Sequence, residues 1–445
     1  MTYLDNYKAI ARLGLPILVG QVGMVCVGFA DNIMVGRYST EALASASFVN
    51  NIFNTIIFFC IGFTYGVLPL AGALFAKGEK LQTGALVRVA LWMNVAYCLF
   101  FTLLMFILYF NVHRLGQPTE LLPVIRPYYL LFLGGLLPIS MFNCFAQWSY
   151  SIKNTVVPMW IVLGTNGLNV LGNYCLIYGN FGFPEMGLTG AGISTLITRW
   201  LCPLIIMAWF FWAKSNKEFA DGFKREIAEK GTTGRVWRTS LPVSLQMAFE
   251  TASFSVAAIM AGWLGAIQLA SFQIIIIIGM LGFTLYYAIG SAVAVLVSNE
   301  AGKGSAQGMR KAGWAGYHAM LVMTLCSTLL FVLFARPLAH LFTEDEMVLA
   351  TTLTLIFPLI LYQLGDATQV TFANALRGTS HVMPMLWIAF VSYMVVGVPA
   401  TYLLGFTAGL GIYGIVLSFS VSLFLAGALF LIFFLRATRP VRNEK

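Results

Sequence analysis

Apolar runs of about twenty residues recur along the whole chain, and short polar segments separate them. A run of this length can cross the hydrocarbon core of a bilayer as an α-helix. The pattern predicts twelve such helices, near residues 10–35, 48–70, 86–110, 125–150, 156–178, 190–212, 238–262, 272–297, 311–334, 350–375, 383–405 and 412–435. We therefore expect an all-α integral membrane protein without a soluble domain.

The sequence repeats itself at one constant offset, which brings position 12 into register with position 238. Arg12–Pro16 (R-L-G-L-P) corresponds to Arg238–Pro242 (R-T-S-L-P), and at the same offset Lys77-Gly78 corresponds to Lys303-Gly304. Each copy holds six predicted helices, an even number, so both copies have the same orientation in the membrane. Parallel repeats of this kind are typical of transporters that rock one half against the other around a central site.

Composition indicates that the chain lies in a membrane, and the distribution of charge predicts its topology. The chain is 59% hydrophobic and 10% charged, whereas soluble proteins are about 25% charged. With a cytoplasmic N-terminus, 21 of the 26 lysines and arginines fall on the cytoplasmic side. The positive-inside rule therefore predicts that both termini are cytoplasmic. Topology explains the net charge of +9, so a nucleic-acid partner is not needed.

The repeat also predicts the domain organisation. The sizeable charged stretch Lys214–Trp237 lies at the junction of the two copies and is too short to be a domain. We expect an N-lobe of helices 1–6 at residues 1–212, a cytoplasmic linker at 213–237 and a C-lobe of helices 7–12 at 238–445. Pro16 and Pro242 recur at equivalent positions and are expected to bend helices one and seven.

The sequence lacks the motifs of the common enzyme classes. There is no G-x-x-x-x-G-K-[S/T] phosphate loop, so nothing indicates ATP as the energy source. The four histidines are scattered without metal-ligand spacing, and there is no nucleophile elbow. An integral membrane enzyme therefore has no support from the residues.

Three acidic residues, Asp31, Glu250 and Asp366, lie within apolar helices. Burial of a carboxylate at this depth costs about 2.5–3.5 kcal/mol on insertion scales, so such residues usually face a polar cavity or carry ions and protons. Arg199 is the only basic residue deep in a predicted span, and it either neutralises one acid or snorkels. None of the three has an acidic counterpart in the other copy, which suggests separate tasks for the two halves.

Further polar residues share helix faces with one another. Asn169 and Asn173 are four residues apart, and Tyr362 precedes Asp366 by four. A phenol beside a buried carboxylate can relay or stabilise its charge. Asparagines in membrane helices also join helices, at about 1 kcal/mol or less, so the role of the asparagine pair stays open between function and packing.

At these positions the chain resembles the multidrug and toxic compound extrusion (MATE) family, in particular its NorM-like branch. The resemblance rests on P-I-L-V-G-Q-V and D-N-I-M-V-G in helix one, F-E-T-A-S-F in helix seven, and Y-Q-L-G-D-A-T-Q-V with A-L-R-G in helix ten. It covers essentially the whole chain and implies cation-coupled export of amphipathic organic cations. We expect a multi-pass monomer of the inner membrane that contacts lipid and uses no cofactor.

The resemblance also implies two groups of site residues. In the C-lobe it implies a cation site of Glu250, Tyr362 and Asp366, with Na⁺ as a candidate ligand of the two carboxylates. In the N-lobe it implies a polar cluster for protons or substrate, formed by Asp31, Asn169 and Asn173. Because acids are present in both lobes, the motifs leave Na⁺ and H⁺ open as the coupling ion.

Two other functions remain alternatives. A flippase for lipid-linked intermediates could share this architecture, but its cleft would need basic groups for the phosphates, and the interior charges here are mainly acidic. A membrane enzyme or a passive channel is disfavoured by the missing catalytic residues and by the two-fold repeat.

Overall fold

The computed structural model describes residues 2–114, 119–225 and 228–439, and these ranges are helical nearly throughout, without a β-strand. The first half contains six long helices, which we number α1 to α6. They are α1 (Tyr3–Tyr38), α2 (Thr40–Ala76), α3 (Lys80–Tyr109), α4 (Leu122–Ser151), α5 (Val156–Tyr178) and α6 (Gly187–Trp212). A short linker helix, Lys217–Lys224, follows α6.

The second half repeats this arrangement of six long helices. They are α7 (Thr232–Leu264), α8 (Ala266–Gly302), α9 (Ala306–Leu333), α10 (Glu346–Thr354 and Ile356–Gly378), α11 (Met383–Thr407) and α12 (Gly411–Ala437). The two segments of α10 meet at a bend of 46°. Two stretches of α11, Phe390–Gly397 and Leu403–Thr407, are wound as π-helix.

Ten of these helices in the described ranges are long and apolar enough to cross a membrane, and bent α10 is an eleventh candidate. The remaining helix, α5, coincides with the predicted span 156–178 but is less apolar, because it carries Asn166, Asn169 and Asn173. The membrane-spanning helical fold is thus confirmed. The count of twelve spans and the cytoplasmic position of both termini stay predictions.

Local signals in the sequence explain several helix boundaries. The Ser39 hydroxyl accepts hydrogen bonds from the first backbone N–H groups of α2, and the Asp345 carboxylate does the same at the start of α10. The repeated glycines Gly78 and Gly304 end α2 and α8 in the left-handed region, at φ 81° and 70°. A side chain there would be strained, so the repeat preserves the same turn in both halves.

Contacts divide the chain into two compact units. The N-unit is Val19–Ser244, and the C-unit contains the described residues of Met1–Leu18 and Leu245–Lys445. Both divisions fall inside a helix, two residues after Pro16 in α1 and two after Pro242 in α7. The two division points are separated by the offset of the repeat. The first segment of α1 therefore belongs to the C-unit, and the equivalent first segment of α7 belongs to the N-unit. The predicted lobe boundaries, which follow the sequence halves, remain a prediction.

The linker helix is part of the N-unit core. Phe219 is buried against Trp148 of α4, at 5.4 Å between ring centroids. Lys80 of α3 forms an ion pair with Glu218 at 2.8 Å. The charged stretch that was expected to be a cytoplasmic linker therefore contains a helix anchored by aromatic packing.

Candidate functional site

The N-unit brings Asp31, Asn169 and Asn173 together. Asp31 on α1 accepts a hydrogen bond from the Asn173 side chain on α5. The Asn173 amide also donates to Oδ1 of Asn169, at 3.4 Å. Asn173 is fully buried and Asn169 is 4% exposed, so their amides need partners inside the protein. The half-buried Asp31 carboxylate is the end of this chain of hydrogen bonds.

The chain of hydrogen bonds continues onto α6, which sequence reasoning did not include. The Asn169 side chain lies 3.3 Å from the Thr195 hydroxyl and 3.4 Å from the Thr198 hydroxyl. The Ser194 hydroxyl donates to the Asn169 carbonyl oxygen at 3.0 Å. The spacing of Ser194, Thr195 and Thr198 on one helix face could have indicated this contact. Three helices, α1, α5 and α6, therefore position one buried carboxylate.

Arg199 follows Thr198 on α6 and packs against an aromatic ring. Within the described ranges it forms no ion pair, and its Nη1 has no hydrogen-bond partner. Its guanidinium lies 4.3 Å from the centroid of Phe132 on α4, a cation–π contact. A Cβ atom on Gly135 would lie 2.7 Å from Nη1, so Gly135 admits the guanidinium. Asp31 and Arg199 still interact electrostatically.

The position of Arg199 has a local explanation in α4. This helix is broken between Leu122–Gly134 and Leu136–Ser151, and Arg199 lies beside the break. Arg199 thus fits beside Gly135 and contributes positive potential to the Asp31 cluster.

The C-unit holds the other predicted site residues on α7 and α10. Glu250 is half-buried, and its Oε2 accepts a hydrogen bond from Gln246 at 3.0 Å. Asp366 is 2% exposed, and its Oδ2 has no hydrogen-bond partner in the described part of the chain. The two carboxylates interact electrostatically. Two negative charges in an apolar setting repel each other unless a cation or a proton joins them.

Tyr362 links the C-unit carboxylates to a group of aromatic residues. Tyr362 is 9% exposed and lies one helical turn before Asp366. Its ring meets Phe254 of α7 and Phe419 of α12 edge-on, at 6.3 and 6.2 Å between centroids. Apolar walls around a carboxylate strengthen its attraction for any cation that loses its water there. The site therefore combines negative charge with aromatic surface.

Tyr393 and Arg377 also belong to this site, and sequence reasoning assigned them no role. The fully buried Tyr393, in the π-helical stretch of α11, interacts electrostatically with Glu250 and Asp366. Arg377, near the end of α10, interacts electrostatically with Glu250. No sequence signal pointed to Tyr393, because its position depends on the winding of α11. In the described ranges no three histidine, cysteine or acidic side chains form a metal-binding group.

Comparison with known proteins supports the family resemblance. The MatE family model matches residues 16–175 and 242–403, which is one match in each copy of the repeat. The multidrug resistance protein NorM of Photobacterium profundum is 29% identical over 423 residues, which are 91% of this chain and 90% of that protein. The multidrug resistance protein MdtK of Pectobacterium atrosepticum is 27% identical over 413 residues, 91% of this chain and 89% of that one.

Solved structures share the fold. A MOP superfamily transporter from Pyrococcus furiosus superposes with a TM-score of 0.88 at 19% identity, over 97% of this chain and 96% of that chain. The outward-facing conformation of a multidrug resistance MATE family transporter gives a TM-score of 0.87 at 20% identity, with the same coverage. Together with the family match in both halves, these likenesses identify the chain as a NorM-like member of the MATE family.

Proposed function

We propose that this protein is a cation-coupled antiporter that exports amphipathic organic cations by alternating access. The observation that carries the proposal is the pair of carboxylates in the C-unit. Asp366 is buried with an oxygen that lacks a hydrogen-bond partner among the described residues, and a second acid, Glu250, interacts with it. Arg377 interacts with Glu250 and can balance only one of the two negative charges, so the pair has room for one further cation or proton. A transport cycle can exchange one such cation for another.

The class of substrate follows from the relatives and from the charge of the site. Two relatives are named multidrug resistance proteins, which supports a small-molecule substrate. Acids beside Tyr362, whose ring packs against Phe254 and Phe419, favour an organic cation with apolar surface. A flippase for phosphate-bearing lipids has no comparable observation in its favour, so it remains the less supported function.

The proposed cycle uses the membrane potential or an ion gradient as its energy source. The drug enters from the cytoplasm or the inner leaflet and pairs with a C-unit carboxylate. Na⁺ or H⁺ then enters from outside, competes for the same negative charge and releases the drug outward. Each charge that moves inward across about 100 mV supplies about 2.3 kcal/mol. We further propose that the protein acts as a monomer in the inner membrane.

The N-unit cluster has a separate task in this proposal. Asp31 is linked through Asn173 and Asn169 to the hydroxyl groups of α6. This hydrogen-bonded chain can accept a proton or hold a polar group of the substrate. The different chemistry of the two units agrees with the absence of acidic counterparts at the equivalent positions of the repeat.

The proposal is tested with purified protein in liposomes and a fluorescent lipophilic cation. Transport is measured first under an imposed Na⁺ gradient and then under a pH gradient, for wild type, Glu250→Gln and Asp366→Asn. Both variants should lose transport while they keep their abundance in the membrane, because each removes one charge from the pair. Glu344→Gln, which changes an exposed acid before α10, is the matched control and should transport normally.

Each outcome has a defined meaning. Transport under one gradient that both variants abolish identifies the coupling ion and supports the proposal. Normal transport by Glu250→Gln and Asp366→Asn would refute the assigned role of the carboxylates. If correctly folded wild-type protein moves no organic cation under either gradient, the antiporter proposal fails and a flippase assay becomes the next experiment.

A further inference from the structure

A small cavity lies within the N-unit, at the turn from α2 to α3 and beside the start of α7. Residues of all three helices line it, and its volume is about 110 Å³. A cavity needs about 10–15 Å³ for each water that it holds, so this one has room for a group the size of several waters. One of its lining residues is Lys77, directly after α2, and we call the cavity the Lys77 pocket.

The lining of the Lys77 pocket combines apolar and charged side chains. Leu70 and Leu74 of α2 and Leu86 of α3 are among the apolar ones. Leu70 precedes Lys77 by seven residues, which is two helical turns or about 10 Å. The pocket therefore extends from the charged turn toward the apolar part of α2, and it suits a ligand with one polar and one apolar end.

The charged side chains of the lining leave one positive charge unbalanced. Arg235 forms an ion pair with Glu229 at 2.6 Å and also donates to the Thr232 hydroxyl at 3.1 Å. The Lys77 ammonium, by contrast, forms no ion pair within the described ranges. Glu79 of the same turn is exposed and lies outside the lining. Two cations and one anion therefore face the pocket, which suits one negative group.

The repeat shows how the C-unit neutralises the same turn. At the offset of the repeat, Lys77 corresponds to Lys303 and Leu74 corresponds to Glu300. Glu300 is 8% exposed and pairs with Lys303 at 2.7 Å. Its carboxylate lies directly over Gly308 of α9. In the C-unit, a carboxylate of the protein itself thus binds the lysine of the repeated turn.

The N-unit lacks this carboxylate and has a cavity in its place. Leu74 and Gln82, the counterparts of Glu300 and Gly308, both line the Lys77 pocket. The amide of Gln82 can donate hydrogen bonds to an anion. The start of α7 adds Arg235, where the equivalent position of α1 is Ala9. The two units therefore differ in the source of the negative charge, which is a side chain in the C-unit and an open position in the N-unit.

The location of the pocket favours a lipid as the source of this charge. The predicted topology places the turn from α2 to α3 on the cytoplasmic side of the membrane. Basic pockets between membrane helices on that side bind the headgroups of anionic lipids. The phosphate of such a lipid can pair with Lys77 while its carbon atoms contact Leu70 and Leu74. A free phosphate ion has no apolar part to place against these leucines.

We propose that the Lys77 pocket binds the phosphate group of an anionic phospholipid, with its negative charge in the position that the Glu300 carboxylate takes in the C-unit. The bound lipid would contact the end of α2 and the start of α7 together. This inference goes beyond the proposed function, since it concerns neither the exported substrate nor the coupling ion. The alternative is a cavity that holds only water.

Lipid binding to the purified, delipidated protein tests the inference. Dioctanoyl phosphatidylglycerol is titrated and the bound lipid is counted by native mass spectrometry, with dioctanoyl phosphatidylcholine and inorganic phosphate as comparison probes. Lys77→Gln should weaken phosphatidylglycerol binding about fivefold, as expected for the loss of one basic residue at a membrane surface. Phosphatidylcholine has the same chains but no net charge, so it should bind more weakly and should not distinguish the variant from wild type.

Two substitutions at position 74 separate charge from shape. Leu74→Glu places an acid three residues before Lys77, as Glu300 stands before Lys303. Leu74→Gln has nearly the same shape without the charge and should bind phosphatidylglycerol about fivefold more tightly than Leu74→Glu. Lys8→Gln removes an equal charge from an exposed lysine of α1. It is the matched control and should bind the lipid like wild type.

Each result either supports or overturns the inference. It is overturned if wild type binds phosphatidylglycerol no better than phosphatidylcholine. It is also overturned if Lys77→Gln binds phosphatidylglycerol like wild type and Leu74→Glu binds it like Leu74→Gln. Inorganic phosphate that binds as tightly as phosphatidylglycerol, and is lost in the same variants, would overturn the assignment to a lipid and identify a site for the free ion.

Discussion

The linker helix and α3 meet through two glycines, and this contact gives a prediction with a defined magnitude. A Cβ on Gly84 would lie 2.7 Å from the carbonyl carbon of Phe219, and one on Gly222 would lie 2.7 Å from that of Leu81. Carbon atoms in contact are ordinarily about 3.5–4.0 Å apart. Gly84→Ala therefore requires the two helices to separate by about 1 Å, because the obstructing group is backbone and cannot rotate away.

The expected cost is set by overpacking. Insertion of a methyl group into a tight contact costs about 1–3 kcal/mol, whereas alanine gains at most about 1 kcal/mol over glycine in helix propensity. The Lys80–Glu218 ion pair, whose side chains are 39% and 61% exposed, adds little because exposed pairs contribute about 0–1 kcal/mol. Because the obstructing atoms are backbone, the overpacking cost lies at the upper end of this range, and after subtraction of the helix-propensity gain a net loss of about 1–2 kcal/mol remains. This loss multiplies the undocked population of the linker helix by about 5 to 30.

Limited trypsin digestion of inside-out vesicles measures this population, since cleavage at Lys217 and Lys224 follows the open fraction when docking is fast. Gly84→Ala should be cut faster than wild type by a factor within the range above. Gly164→Ala on α5, where a Cβ would meet nothing within 4 Å, is the control and should be cut at the wild-type rate. Equal rates for wild type and Gly84→Ala would refute the steric reasoning.

Two further predictions concern the N-unit. Asn173→Leu keeps the side-chain size but removes the hydrogen-bond donor to Asp31. Because a hydrogen bond to a charged group is worth about 1.5–3 kcal/mol, the transport rate per protein in liposomes should fall about tenfold or more. An unchanged rate would contradict the proposed role of Asn173. Gly135→Ala places a Cβ 2.7 Å from the Arg199 guanidinium and should lower the thermal unfolding temperature by several degrees, about 2–4 °C per kcal/mol for a unit of this size. Gly134→Ala is the control, because a Cβ there meets only a leucine side chain at 3.4 Å, and this variant should unfold near the wild-type temperature. An equal fall of the unfolding temperature in both variants would show that the guanidinium contact is not responsible.

The repeat is the part of the fold that was most fully predictable. Its constant offset recurs in the left-handed turns at Gly78 and Gly304 and in the division points after Leu18 and Ser244. The exchange of the first segments of α1 and α7 was not predictable. A repeat in sequence states which segments are equivalent, but it does not state with which half each segment packs.

The candidate site was also predictable only in part. Asp31, Glu250 and Asp366 could be identified from the sequence alone, because a buried charge is costly and therefore rare in a membrane helix. The sequence could not indicate that Arg199 packs on Phe132 instead of pairing with an acid. Nor could it indicate the approach of Tyr393, which depends on the π-helical winding of α11.

The sequence by itself therefore determined the membrane environment, the all-α fold class, the two-fold repeat and the identity of the polar residues within apolar helices. Each of these is a property of residue type and spacing along the chain. Only the tertiary structure decided which polar faces meet, as in the contact between Asp31 and Asn173 and in the hydrogen bond from Tyr286 to Gln363. The physical reason is that an apolar run fixes the length of a membrane helix but not its rotation. Rotation is set by packing against neighbouring helices, and those contacts join residues far apart in the chain.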